Sequence, residues 1–256
     1  LSHSQSRIKY PGYAENDKRY QHKNIMALIL NLETATTACS VSLGKDGNLL
    51  ALKELNGEYT HAENLTLFIE DVLKHAGLKL KDLDAVSVSK GPGSYTGLRI
   101  GVSTAKGLCY SLNKPLIALN TLSSMVHGIL HSPTSVLSPA SLLCPMLDAR
   151  RMEVYCAVYD THEKEIKATA AEIIDETSFA ELLNNQQVYF FGDGADKCKE
   201  VFSKNKNAIF IDHIVPSAKD MIIPAEQVFN NKQFEDVAYF EPFYLKDFVA
   251  GKKKSE

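Results

Sequence analysis

The run Lys90-Gly91-Pro92-Gly93-Ser94-Tyr95-Thr96-Gly97-Leu98-Arg99-Ile100-Gly101 is the stretch of this 256-residue sequence best suited to chemistry. It follows an apolar segment at 84–89 and opens an amphipathic one, which predicts a strand, a turn and a helix. Glycines let a backbone approach a ligand closely, and the first N–H groups of a helix lack intrahelical partners. Gly91, Gly93 and Ser94 are therefore candidates to cradle an anion or a nucleotide phosphate. A purely structural turn accounts for the same residues equally well. No Gly-Lys-Ser/Thr follows at the spacing of a Walker A loop. Further along, Gly97, Gly101 and Ala105 recur every four residues, a small-residue stripe that permits close helix contact within the core or with a partner. Arg99 falls on another face and reads as solvated.

Other chemistry is thin. His127 and His131 have i, i+4 spacing, but a zincin would need glutamate where Gly128 stands, and no third ligand is evident. Asp148-Ala149-Arg150-Arg151 fits either an anion-binding turn or a charged hairpin tip. Glu33 ends an apolar segment, as a relic of an acidic catalytic position or as an ordinary strand end. The turn after it, Thr34-Ala35-Thr36-Thr37-Ala38, has no glycine, whereas actin-like phosphotransferases hold phosphate there with glycines. There is no Gly-x-Ser-x-Gly elbow and no Cys/His nucleophile pair. No catalytic residue and no metal site are expected.

The elements that position these residues follow from periodicity. Strands are predicted at 27–33, 39–43 and 49–55, with Asp46-Gly47 as hairpin chemistry. Thr60-x-x-Glu63 is a capping box, and Leu65, Phe68, Ile69, Val72, Leu73 and Ala76 form one helical stripe ended by Gly77. A strand at 84–89, a helix to about 112, a strand at 116–119 and a helix near 123–130 complete the order β-β-β-α-β-α. That order is the core of one lobe of the actin/Hsp70/sugar-kinase fold. Residues 26–131 are thus expected as an N-terminal lobe. Residues 132–256 are expected as a smaller α/β lobe, too short for every element of a full kinase lobe. Residues 1–25 are polar and aperiodic, and are expected to be a disordered extension or an expression remnant, with Met26 as the functional start.

Composition sets limits. Twenty-eight Lys+Arg against 31 Asp+Glu leave a net charge of −3, without the broad basic footprint of a protein that grips nucleic acid alone. Hydrophobic residues at 45% and charged residues at 23% argue for an ordinary globular chain over a disordered one. Five dispersed cysteines make a disulfide framework unexpected and favour a reducing cytoplasm. Cys144 and Cys156 could face each other across a hairpin, with free thiols the preferred reading. No apolar run reaches membrane-spanning length.

Asn31-Leu32-Glu33-Thr34-Ala35-Thr36, the run from Gly91 to Gly101, Met146-Leu147-Asp148-Ala149-Arg150-Arg151-Met152-Glu153-Val154-Tyr155 and Pro242-Phe243-Tyr244-Leu245 together resemble the bacterial TsaB (YeaZ) family. The resemblance runs from Met26 almost to the C-terminus. It implies a non-catalytic subunit that pairs with a larger TsaD-type catalytic homologue and works with the TsaE ATPase. Together they transfer threonylcarbamoyl to N6 of the adenosine next to the anticodon of ANN-decoding tRNAs. It also implies that tRNA is met through the complex, and that no cofactor is tightly bound by this chain alone, with ATP or ADP at the complex interface. The helices at 60–76 and 96–112 would pair with the partner's equivalents through Leu65, Phe68, Ile69, Gly97, Leu98, Gly101, Val102 and Ala105. The same face could form a homodimer in isolation. Catalytic relatives carry His-Met-Glu-Gly-His as metal ligands where this chain has Thr121 to Met125, so the metal site is expected to be lost. The alternatives are an actin-like small-molecule kinase or ATPase and, further off, a metalloprotease.

Overall fold

A computed structural model describes residues 27–57, 61–133 and 137–246. The expectations for residues 1–25, Met26 and the Thr60 cap lie outside the described residues. Strand β1 (Leu28–Glu33) is buried throughout because both its faces are covered. By two-residue alternation, Leu28, Leu30 and Leu32 face one side and Ile29, Asn31 and Glu33 the other. The antiparallel neighbours β2 (Ala38–Lys45) and β3 (Asn48–Asn56) lie on one edge of β1. The β2–β3 hairpin turns at Asp46 and Gly47, both at positive φ, as a tight primed turn requires.

Helix α1 (His61–Ala76) leads into β4 (Ala85–Gly91), which pairs with β1 in parallel. Helix α2 (Tyr95–Leu112) leads into β5 (Leu116–Asn120), parallel to β4, so the sheet order is β3-β2-β1-β4-β5. The apolar stripes of α1 and α2 cover the leucine side: Leu65, Phe68 and Val72 meet Leu28, Leu30 and Leu32, beside Val102 and Ala105. At the end of β5, the Asn120 Oδ1 accepts from the N–H groups of Leu122 and Ser123 and starts α3 (Thr121–Leu130).

The second sheet repeats the plan. The strands β6 (Leu142–Asp148), β7 (Glu153–Asp160) and β8 (Glu165–Ile173) form an antiparallel meander. Helix α4 (Ala180–Asn185) precedes β9 (Val188–Phe191), and α5 (Lys199–Phe202) precedes β10 (Ala208–Ile211), giving β10-β9-β6-β7-β8. The second lobe is reduced in its helices, not its strands. Its α4 has 6 residues where α1 has 16, and its α5 has 4 where α2 has 18.

A simple division at residue 131 is corrected by the packing. The apolar side chains of α3, Leu122, Met125, Val126 and Ile129, pack on β6, β7 and Phe191 of the second sheet. Conversely, the 3-10 turn Ala218–Met221 and α6 (Ile222–Asn230) cover Ala27, Ile29, Ala85 and Ile117 of the first. Val237 and Phe240 also return to the core beneath α1 and α2. Each half lends its last helix to the other's sheet, which interlocks the two lobes. The result is a two-lobed α/β fold of the actin/Hsp70/sugar-kinase type.

Candidate functional site

The glycine run is explained first by the turn it touches. Ser94 caps α2, with its Oγ accepting from Gly97 N at 3.3 Å, and its own N–H donates to Ala35 O at 2.6 Å. Thr34 Oγ1 donates to Gly97 O at 2.8 Å. A Cβ at Gly93 would overlap the carbonyl of Ala35, one at Gly97 the carbonyl of Thr34, and one at Gly101 the Thr34 hydroxyl. The stripe therefore seats α2 on the turn after β1. The glycines that permit the approach lie on the helix and just before it, not in the turn. Gly91, at φ 109, is the other position that needs glycine.

The residues expected at the partner surface lie elsewhere than on the open face of the helices. Leu65, Phe68, Ile69, Gly97, Leu98, Gly101, Val102 and Ala105 are all buried within this chain. An apolar stripe must first cover its own sheet: Leu65, Phe68, Ile69, Val102 and Ala105 do so, while Gly97 and Gly101 meet Thr34 and Leu98 lies beside Gly91. The outer faces carry different residues. Leu67 on α1 is 55% exposed and Tyr110 on α2 is 85% exposed, while nothing lies within 4 Å of a Cβ built on Gly107.

Arg99 is not simply solvated. Its Nε donates to Tyr244 OH at 3.2 Å, and its guanidinium lies 4.1 Å from the Tyr95 ring centroid. Lys106 Nζ donates to the carbonyls of Ala238 and Phe240. Together they hold the segment before Lys246 along α2.

Between the lobes lies a cleft of about 500 Å³. The β1–β2 turn and the start of α2, at Gly93 and Ser94, form one wall; Asp148, Arg150 and Asp193 form the other. Lys197 pairs with Asp148, Lys246 pairs with Glu153, and Asp148 N donates to Asp193 Oδ1 at 3.0 Å. Burial raises the Asp193 acid above its ordinary range. The structure thus brings the candidate anion residues Gly93 and Ser94 opposite the β6–β7 turn. Sequence reasoning weighed these as separate features, because 54 residues of chain lie between Ser94 and Ala149 and no spacing rule joins them.

Glu33 lies on the inner side of β1 and is fully buried. Its Oε1 accepts from Ala35 N at 2.6 Å and Ser89 Oγ at 2.8 Å, while Oε2 has no partner. Burial pushes its acid up to about 7 against the lowering effect of those hydrogen bonds. Its neighbours pin the crossing segment: Asn31 donates to Ser42 Oγ, Ser42 Oγ donates to Ala218 O, and Ala218 N donates to Ser40 Oγ. The inner face of β1 and β2 is a polar seam between the lobes.

This predicts a pH effect. Between the unfolded value of 4.5 and about 7, folded Glu33 keeps a proton that the unfolded chain has released. Stability therefore falls as pH rises through that window, by about 3 kcal/mol from this group at most. Buried Asp220, also raised to about 7, adds a fall of the same sign. Denaturant titrations of wild type and Glu33→Gln at pH 4.5, 6 and 8 should show a shallower slope in the variant. Parallel slopes would contradict the buried-acid reading.

Thr121 and Met125, where the lost metal site was expected, are buried on α3, and Met125 packs in the apolar cluster on the second sheet. The five cysteines are buried free thiols. Among the described residues, no helix is long and apolar enough to cross a membrane.

Comparison with known proteins agrees with this arrangement. A family model described as TsaD, tRNA N6-adenosine threonylcarbamoyltransferase, matches residues 57–254. The tRNA threonylcarbamoyladenosine biosynthesis protein TsaB of Escherichia coli is 33% identical over 88% of this chain and 97% of its own length. The Haemophilus influenzae protein of the same name is 29% identical over 88% of this chain and 96% of its own. A crystal structure from Pseudomonas aeruginosa, described as an uncharacterized protein with similarity to peptidase YEAZ, covers 86% of this chain and 100% of its own at 24% identity. Its TM-score is 0.74, so it shares the fold. With a relative at this identity across nearly its full length, and with the interlocked two-lobed fold, the chain belongs to the TsaB (YeaZ) family of tRNA threonylcarbamoyladenosine biosynthesis proteins.

Proposed function

We propose that this chain serves threonylcarbamoyladenosine synthesis on tRNA as a non-catalytic subunit, pairing with a TsaD-type catalytic homologue alongside a TsaE-type ATPase in the cytoplasm. The observation that carries this reading is the seating of α2 on Thr34 and Ala35. The turn after β1, where an actin-like phosphotransferase would carry glycines for phosphate, carries none here and packs against the chain's own helix. Glu33 beside it is sealed into a structural seam. Thr121 and Met125 offer a neutral hydroxyl and a soft thioether where the relatives offer imidazoles, and the thioether does not replace imidazole on a borderline metal ion. The net charge of −3 supports tRNA being held by the complex and not by this chain alone.

The partner face of this reading is the outer side of α1 and α2, around Leu67, Gly107 and Tyr110. A mid-helix glycine in open space costs stability without any contact within the chain to require it. An exposed tyrosine such as Tyr110 is a side chain favoured as an interface anchor. The same face would pair two copies when the partner is missing. In this reading ATP or ADP is held at the interface of the complex, near the cleft wall formed by Gly93 and Ser94. Depletion of the chain in its own cells, followed by nucleoside analysis of ANN-decoding tRNAs, tests the assignment. Threonylcarbamoyladenosine should fall, and an unchanged level would sink the proposal.

A further inference from the structure

Two histidines and a glutamate meet where α3 reaches the turn between β7 and β8. His127 Nδ1 lies 2.9 Å from Glu163 Oε1, and His131 Nδ1 lies 3.7 Å from the same oxygen. The imidazoles stack with centroids 4.0 Å apart, as i, i+4 positions on one helix face allow. Atoms able to ligate a metal, one from each residue, lie within 4.8 Å of one another. Ligands at about 2.0–2.1 Å from a tetrahedral zinc stand about 3.3 Å apart, a value these two separations straddle.

We propose that His127, His131 and Glu163 bind one divalent transition-metal ion of the zinc class. Two imidazoles and a carboxylate suit zinc, whereas calcium and magnesium take all-oxygen shells. Three protein ligands leave a fourth position for water. His131 Nδ1 also lies 3.0 Å from the carbonyl of His127. Ligation through His131 Nδ1 would exchange this contact with the carbonyl of His127 for a bond to the ion. The His127 side chain is 7% exposed, while those of His131 and Glu163 are 42% and 36% exposed, which leaves an entry path. The ion would tie α3, whose apolar side lies on the second sheet, to the hairpin tip of that sheet. Its role is a brace between the last helix of one half and the sheet of the other, separate from the threonylcarbamoyl chemistry proposed above.

The test is calorimetric titration of zinc chloride into the full chain, freed of any affinity histidines and stripped with chelator. Cobalt absorption serves as the geometry probe. One zinc per chain is expected, with a rise in Tm on loading and a tetrahedral cobalt spectrum. His131→Ala and Glu163→Gln should each weaken binding by about tenfold or more. His131 is half-exposed, so its variant carries the test even if His127→Ala unfolds. No saturable binding, or one-to-one binding that both variants leave unchanged, overturns the site and leaves a hydrogen-bonded His–Glu cluster only.

Discussion

Gly97→Ala should destabilise the fold by about 3 kcal/mol, and Gly107→Ala should stabilise it by about 1 kcal/mol. The two glycines sit ten residues apart on the same helix, so propensity alone would stabilise both. Their surroundings separate them. The new methyl at 97 lands on the carbonyl of Thr34, which is backbone and held by the neighbouring strand, so α2 must lift from its seat. Lifting α2 strains the Thr34–Gly97 and Ala35–Ser94 hydrogen bonds and opens the core beneath Val102 and Ala105. At 107 the methyl meets nothing within 4 Å. Denaturant midpoints of the two variants measure the difference. Equal shifts would mean that the glycine stripe is not the seat of the helix. If Gly107 also gives close approach to a partner, Gly107→Ala should gain stability and lose pairing, a combination that core glycines cannot produce.

The second large effect concerns pairing. Tyr110→Glu and Leu67→Glu are each expected to weaken association with the TsaD-type homologue by about 100-fold, as loss of a buried anchor of about 2–4 kcal/mol implies. Both side chains are exposed in this chain, so stability should stay within about 0.5 kcal/mol of wild type. A charge at Leu98 or Val102 would act differently. Those side chains are 1% and 4% exposed, and a carboxylate there would unfold the lobe before it could report on any surface. Calorimetric titration of the partner, beside thermal melts of each variant, separates the two cases. Wild-type affinity in both exposed-face variants would move the interface elsewhere.

These predictions show what was legible in the residues and what was not. The apolar run at 27–33 marked a strand buried on both faces, and the stripe from Leu65 to Ala76 marked the side of a helix that faces a core. They did not reveal which sheet an element covers. The apolar residues of α3 would read the same on either lobe, and only the packing assigns them to the second. Core and interface were confused for the same reason. A stripe announces burial, and the chain's own sheet takes it first, which leaves the proposed partner face to less conspicuous residues such as Leu67 and Gly107. Arg99 looked solvated because Tyr244, its partner, is 145 residues away. Glu163 was missed as a ligand because its approach to His127 depends on how α3 crosses to the second lobe, and no local spacing encodes that crossing.

The most direct test of the central claim is the threonylcarbamoyladenosine content of ANN-decoding tRNAs in depleted cells complemented with chosen variants. A non-catalytic, partner-dependent subunit predicts that wild type and Glu33→Gln restore the modification at pH 7, whereas Tyr110→Glu does not, with equal amounts of folded protein. The account would be contradicted if Glu33→Gln abolished the modification while Tyr110→Glu supported it in full. The buried acid would then be chemistry, and the outer helix face would be only surface.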